Sequence, residues 1–124
     1  MTRSDTASSG DGHTEQHRQD LVTVAIPARN EEASIEALLD SVRSQTHRNL
    51  QILVLDGMSD DATADVVRRV AAEDPRVQLV PNPARVIPAA MNLAVEHAEG
   101  RWFVRIDAHC RVPDDYVERV VAHL

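Results

Sequence analysis

Four short apolar runs, each followed by a stretch with helical spacing, constrain the fold of this chain more than any other feature. The helical stretches repeat apolar residues every three or four positions, as at Ile35, Leu38, Leu39 and Val42, which predicts one buried helix face. The apolar runs occupy residues 21–26, 50–55, 77–80 and 101–106. Because strands that alternate with helices form crossover connections, the order predicts an α/β fold with a parallel sheet and helices on both faces.

Proline, asparagine and glycine mark the predicted ends of these elements. Pro27 is expected to stop the first strand, and Asn30 is the expected N-cap of the first helix. Gly100 follows the third helix, where a residue with left-handed backbone is common. The expected buried positions of the last two helices are Met91, Ala94, Val95, Ala98, Val117, Val120, Val121 and Leu124.

The beginning of the chain differs in composition from the rest. Residues 1–20 contain no aliphatic side chain larger than alanine, apart from Met1. A segment of this kind buries too little apolar surface to offset the entropy lost on ordering. We therefore predict a disordered polar tail over residues 1–20 and one folded domain over residues 21–124.

Charge and cysteine content narrow the class of protein. The chain carries 20 acidic and 13 basic residues, a net charge of −7, without an arginine-rich stripe, which argues against a nucleic-acid partner. Cys110 is its only cysteine, so an internal disulfide is excluded. The sequence lacks an apolar run of about 18 residues and the apolar core of a signal peptide. We expect a cytoplasmic domain, with membrane association possible through a C-terminal part that this sequence lacks.

Ligands of parallel sheets bind at the carboxyl ends of the strands, so the residues after each strand matter most. Beyond the tail only Gly57 and Gly100 are glycines, so neither a G-x-G-x-x-G fingerprint nor a phosphate-binding glycine loop is present. A nucleotide site in this chain would have to use side chains and a metal ion instead.

Asp56, which ends the second run, is a candidate for binding a base or a ribose. The alternative is a capping loop, but Asp60 and Asp61 lie nearer the next helix and are the better capping candidates. Arg85 could bind a diphosphate bidentately, or it could be a solvated surface arginine.

Asp107 and His109 follow the fourth run with a spacing of two. In an extended chain such side chains point the same way, so a carboxylate oxygen and an imidazole nitrogen could converge on a divalent cation. The alternative is that both residues merely terminate the strand.

The four segments V-T-V-A-I-P-A-R-N-E-E, V-L-D-G-M-S-D-D-A-T, N-P-A-R and R-I-D-A-H-C closely resemble, in this order, the family 2 glycosyltransferases. The resemblance covers residues 21–124 and is strongest to the succinoglycan-type branch of exopolysaccharide enzymes, where D-A-H replaces the usual acidic motif. It implies a GT-A fold and the donor-binding half of such an enzyme.

The resemblance also implies roles for individual residues. Asp56 would contact the base, and Arg85 would lie near the donor diphosphate. Asp107 and His109 would hold Mn²⁺ or Mg²⁺, with Asp107 also at the donor. The loop that contacts uridine would contain Pro27, Ala28, Arg29 and Glu31.

The implied activity is inverting transfer of a sugar from a nucleoside-diphosphate sugar, with UDP as the expected nucleotide, to a glycan or lipid-linked acceptor in polysaccharide biosynthesis. The general base of the family is a carboxylate in the acceptor half, expected beyond Leu124, so the chain alone is expected to be inactive. Two alternatives stay open, a truncated non-catalytic nucleotide-binding module and a nucleotidyltransferase. The latter would be expected to carry a glycine- and lysine-bearing loop after the first strand.

Overall fold

A computed structural model describes residues 20–123 as four strands and four helices in strict alternation. Asp20 is exposed, and the rest of the predicted tail and Leu124 lie outside the described residues. The strands are β1 (Val22–Ala28), β2 (Leu50–Asp56), β3 (Val77–Pro81) and β4 (Trp102–Arg105). The helices are α1 (Ile35–Arg43), α2 (Thr63–Glu73), α3 (Ile87–His97) and α4 (Tyr116–Ala122).

All four strands are parallel and lie in the order β3-β2-β1-β4, which confirms the predicted α/β sheet. β1 pairs with β2 from Val22–Leu50 to Ala28–Asp56. The chain thus moves from β1 to β2 and β3 in one direction, and then returns to the other side of β1 to form β4. In an open parallel sheet this reversal of strand order places a crevice at the carboxyl edge between β1 and β4.

Both faces of the sheet are covered. Val24 packs with Leu38 of α1 on one face, while Ala25 and Leu53 pack with Ala94 of α3 on the other, and all five side chains are fully buried. Burial of a leucine or valine side chain stabilises a fold by about 1.5–3 kcal/mol. The central strands are therefore held on two sides, which gives their carboxyl ends fixed positions.

Pro27 does not stop β1, contrary to expectation, because the strand continues to Ala28 and Pro27 pairs with Leu55. Ile106 N–H donates to the Ala25 carbonyl at 3.0 Å, so this side of β1 faces β4. The backbone of Pro27, two residues after Ala25, points to the same side of the strand. Because proline has no N–H, it cannot continue the hydrogen-bonded ladder between β1 and β4. The proline ends the pairing between β1 and β4 and leaves a gap between their ends.

Two other expectations from the sequence are wrong. Gly100 has no left-handed backbone; instead, a Cβ at this position would lie 2.6 Å from Thr23 N and 2.8 Å from the Leu21 carbonyl. Val95 is 64% exposed, and α3 buries Ala90 and Ala94. Successive helical residues turn by about 100°, so a valine adjacent to Ala94 points away from the sheet.

Among the described residues, no helix has the length and apolar character needed to cross a membrane.

Candidate functional site

A cleft of about 210 Å³ lies at the carboxyl edge of the sheet, where the strand order reverses. Its walls come from the segments after β1 and β4 and from the connection between β3 and α3. Seven of the eight residues predicted for the site line it: Pro27, Ala28, Arg29, Glu31, Arg85, Asp107 and His109.

Asp56, the eighth predicted residue, lies at the end of β2 and is only 8% exposed. It is not among the residues that line the cleft. Its Oδ1 atom accepts a hydrogen bond of 2.6 Å from Ser59 Oγ and one of 3.4 Å from Ser59 N–H. Its carboxylate therefore shapes the β2–α2 turn beside the cleft.

The segments after β1 and β2 are joined by reciprocal hydrogen bonds. Asn30 N–H donates to Ser59 Oγ at 2.9 Å, and Asn30 Oδ1 accepts from Asp60 N–H at 2.7 Å. Glu31 N–H donates to Thr63 Oγ1 at 2.8 Å. Asn30, with a φ of 55°, thus bridges two loops and is not the N-cap of α1, which begins at Ile35.

Asp61 and Asp60 have different roles, although both are predicted to cap α2. Asp61 accepts hydrogen bonds from the side chain and the N–H of Thr63, which lower the pKa of its exposed carboxyl group. Asp60 does not cap; its carboxylate lies 3.6 Å from Arg29 Nη2. The turn after β2 brings the Asp60 carboxylate close to Arg29, which follows β1 and lines the cleft.

Arg29 is fixed to the wall of the cleft. Its Nη1 donates to the Gly57 carbonyl at 2.6 Å and to the Met58 carbonyl at 3.4 Å. A Cβ on Gly57 would lie 3.4 Å from Arg29 Cβ and 3.3 Å from the Arg85 carbonyl. The guanidinium is therefore committed to holding two loops together.

Arg85 lines the same cleft as Arg29 but has different surroundings. It lies in the β3–α3 connection with a φ of 69°, and its side chain is exposed. Among residues 20–123, no carboxylate forms an ion pair with it, whereas Arg29 faces Asp60 and Arg105 faces Asp107. Arg85 therefore offers an unneutralised positive charge to the cleft.

The residues after β4 can hold a cation. Asp107, His109 and Cys110 each place one ligand atom within 4.8 Å of the others. Asp107 Oδ1 also accepts a hydrogen bond from Arg105 Nε at 3.1 Å and forms an ion pair with Arg105 Nη2 at 3.0 Å. The carboxylate, imidazole and thiol fit a divalent transition-metal ion in ligand type. The sequence prediction missed Cys110, although it directly follows His109.

Asn82 lines the cleft and is another residue that the prediction missed. It is 2% exposed, and its Nδ2 donates to the Val86 carbonyl at 3.0 Å. Its Oδ1 is buried without a hydrogen-bond partner among the described residues. The N-P-A-R segment contains it, but only burial distinguishes it from an ordinary loop asparagine.

Comparison with known proteins places this arrangement in a family. The profile of Glycosyl transferase family 2 matches residues 23–124. The chain belongs to this family. The family resemblance predicted from the four sequence segments is thereby confirmed.

Two relatives locate the match within longer proteins. The succinoglycan biosynthesis protein ExoA of Rhizobium meliloti is 46% identical over 101 residues, which are 79% of this chain and 31% of ExoA. The mannosyltransferase PcManGT of Pyrobaculum calidifontis, solved with GDP-Man and Mn²⁺, is 35% identical with a TM-score of 0.75. The match covers 81% of this chain and 31% of that enzyme. This family 2 chain thus spans about a third of the length of either relative.

A more distant structure supports the fold alone. TarS residues 1–349 of S. aureus, in complex with UDP-GlcNAc, superpose with a TM-score of 0.67 at 21% identity, covering 82% of this chain and 30% of TarS. Together with PcManGT, it confirms the predicted GT-A fold for this family 2 chain.

Proposed function

We propose that this chain forms the donor-binding part of a glycosyltransferase that transfers sugar from a UDP-linked donor to a glycan or lipid-linked acceptor in polysaccharide synthesis. One observation carries the proposal. The cleft at the reversal of strand order brings Arg85, Asp107 and His109 to one carboxyl edge. An acidic protein needs such a local source of positive charge to bind a diphosphate.

The diphosphate is proposed to lie toward Arg85 and the segment after β4. Arg85 is exposed and lacks an acidic partner in the described part of the chain, so its guanidinium can bind phosphate oxygens bidentately. Asp107 and His109 would hold Mn²⁺ or Mg²⁺ beside it. A cation bound there offsets the negative charge that develops on a leaving diphosphate. PcManGT, a relative solved with Mn²⁺ and GDP-Man, supports the use of a divalent cation together with a nucleoside-diphosphate donor.

The nucleoside is proposed to lie against the end of β1, near Pro27 and Ala28. Arg29 keeps this wall in place through the Gly57 carbonyl, and Glu31, with a side chain that is 30% exposed, also lines the cleft. Asp56 is proposed to accept a hydrogen bond from the base at the side of the cleft. Ser59 binds Oδ1 of this carboxylate, and Oδ2 is the atom proposed to accept from the base.

We assign no catalytic base within residues 20–123 and propose that acceptor binding and deprotonation use other parts of the protein. The reaction is proposed to occur in the cytoplasm or at the inner face of the membrane. The presence of a single cysteine agrees with a compartment in which disulfides do not form.

Calorimetric titration of the purified chain tests the donor site. UDP should bind roughly tenfold more tightly in Mn²⁺ than in EDTA, and Asp107→Ala should abolish the difference. Asp65→Ala is the matched control, because Asp65 is an 80% exposed aspartate on α2, outside the cleft. Equal UDP affinity with and without metal would contradict the role given to Asp107.

A parallel titration with GDP tests the choice of nucleotide. The proposal expects UDP to bind more tightly than GDP under the same Mn²⁺ concentration. A preference for GDP would replace UDP with a guanosine donor, like the one bound to PcManGT, and would leave the diphosphate site in place.

A further inference from the structure

Asn82 carries a buried acceptor that the fold itself does not use. Its side chain lines the cleft and is 2% exposed, and within residues 20–123 its Oδ1 is the only buried side-chain oxygen or nitrogen without a hydrogen-bond partner. Such an acceptor destabilises a folded chain and is therefore rare in native folds unless it has a function. We propose that Asn82 Oδ1 accepts a hydrogen bond from the nucleoside of the bound donor and so helps to select the nucleotide. The inference rests on the proposed function and adds a specificity-determining residue to it.

The other polar atoms of Asn82 fix the orientation of its carboxamide. Nδ2 donates to the Val86 carbonyl at 3.0 Å, and exchanging the two amide atoms would place two oxygens against each other. The N–H of Asn82 donates to the Asp56 carbonyl at 2.7 Å, and its carbonyl accepts from Arg85 N–H at 3.1 Å. Oδ1 is therefore the polar atom of Asn82 that is left for a ligand.

The side chains of Asn82 and Asp56 lie on opposite faces of the sheet. Val80 packs in the same cluster as Ala94 of α3, and side chains alternate along an extended chain, so Asn82, two residues later, lies on the α3 face. Val54 packs in the cluster on the α1 face, and Asp56 follows it by two residues. A bound nucleoside would therefore meet these two acceptors with different groups.

The nucleoside of a UDP donor offers several groups that can donate to such an acceptor, namely the N3–H of uracil and the 2′ and 3′ hydroxyls of ribose. Asp56 Oδ2 is proposed to accept from the base, and Asn82 Oδ1 would accept from another of these groups. Because a carbonyl oxygen accepts but cannot donate, an analogue that lacks this group leaves Oδ1 unpaired in the complex. A site built in this way discriminates strongly against ligands without the donor group.

Apolar side chains line the cleft together with Asn82. Leu55 and Ala90 are buried, whereas Val86 and Ile87 are 55% and 47% exposed. A ligand that covers these two exposed side chains excludes water from the cleft, which strengthens a hydrogen bond to Oδ1. Residues 83–88 are all exposed, so little buried surface holds this segment, and a small shift of it lets a donor group reach the buried oxygen.

A set of UDP analogues tests this role in the wild-type chain and in Asn82→Ala. Calorimetric titration in Mn²⁺ compares UDP with N3-methyl-UDP, 2′-deoxy-UDP and 3′-deoxy-UDP, each of which lacks one donor group. The wild-type chain should bind the analogue that lacks the group held by Asn82 roughly tenfold more weakly than UDP, whereas Asn82→Ala should bind the two equally. Asn92→Ala is the matched control and should keep the wild-type ratios, because Asn92 is an exposed asparagine of α3 outside the cleft.

A second measurement uses the wild-type chain only and does not depend on how the variant folds. Nuclear magnetic resonance of the nitrogen-15-labelled chain follows the side-chain amide signal of Asn82. UDP should shift this signal, the analogue that lacks the bound group should shift it much less, and the Asn92 amide signal should stay unchanged with each nucleotide.

The analogue that is affected identifies the group that Asn82 binds. A deoxy analogue would place Asn82 at the ribose, and N3-methyl-UDP would place it at the base in exchange for Asp56. The proposal is overturned if Asn82→Ala weakens the binding of all four nucleotides by the same factor, or if all four shift the Asn82 amide signal equally, because Asn82 would then only shape the loop through Val86. Failure of the wild-type chain to bind UDP contradicts the proposed function itself, whereas UDP binding without this coupling removes the role of Asn82 alone.

Discussion

Arg105 and Asp107 form an ion pair at the mouth of the cleft, with Nε and Nη2 of the arginine 3.1 and 3.0 Å from the same carboxylate oxygen. The guanidinium thus contacts one of the residues proposed to hold the metal ion. Both side chains are 43% exposed, so solvent screens the pair and it contributes at most about 1 kcal/mol.

This pair predicts competition between Arg105 and a bound cation. Arg105→Ala should raise Mn²⁺ affinity roughly threefold in the absence of nucleotide, since the cation no longer displaces a guanidinium. Electron paramagnetic resonance of free Mn²⁺ measures the change. Arg68→Ala on α2 removes the same charge far from the cleft and should leave the affinity unchanged. An equal rise in both variants would indicate a general effect of net charge.

Arg29 and Arg85 line the same cleft but should respond differently to removal. Arg29→Ala should lower the free energy of unfolding by about 1 kcal/mol, because the Gly57 carbonyl loses its charged donor. The affinity of this variant for UDP should fall only because the two loops that Arg29 joins are held less firmly. Arg85→Ala should leave urea denaturation unchanged and weaken UDP binding about tenfold. The reverse pattern would exchange the roles assigned to the two arginines.

Asp74 predicts how stability responds to acid. It is 9% exposed and accepts hydrogen bonds from Arg76 at 2.8 Å and Arg43 at 3.2 Å. The Arg76 side chain, which donates to the carboxylate, holds the pKa of Asp74 well below its usual value, and Arg43 adds to the shift. Because the pKa is lower in the folded state, the stabilisation is present above the unfolded pKa of about 3.9 and is lost as the pH falls through the folded value.

The corresponding experiment compares urea denaturation of wild type and Asp74→Asn between neutral and strongly acidic pH. The variant should lose about 2 kcal/mol of stability at pH 7, and the gap should narrow as the wild type is acidified. Asp65→Asn, whose partner Arg68 is also exposed, should change stability by less than about 0.5 kcal/mol at either pH. A gap that stays constant with pH would mean that the charge of Asp74 is not what stabilises the fold.

A methyl group added at Gly100 should destabilise the fold more than one added at Gly57. At Gly100 the Cβ would lie 2.6 Å from the Thr23 backbone nitrogen, and this nitrogen belongs to a central strand that cannot yield. Gly100→Ala should therefore cost about 3 kcal/mol, and Gly57→Ala, with its nearest contact at 3.3 Å, about 1 kcal/mol. Thermal unfolding of the two variants measures the difference. A Gly100→Ala chain as stable as wild type would contradict the close approach.

The sequence by itself determined the order of the elements and the positions of the site loops. Hydrophobic periodicity is a local property, so the β-α alternation and the buried face of α1 at Ile35, Leu38, Leu39 and Val42 could be predicted correctly. Since the carboxyl ends of parallel strands share one edge, the strand ends also located the cleft that Arg85 and Asp107 line.

Only the tertiary structure decided which of these residues face each other. The return of β4 to the far side of β1 placed the segment after Arg105 against the β1 loop, and no local pattern specifies that reversal. Long-range contacts likewise bound Arg29 to the Gly57 carbonyl and brought Glu31 within 4.0 Å of His109. The reason is physical: periodicity reports which face of an element is buried, whereas a partner many residues away is chosen by packing of the whole sheet.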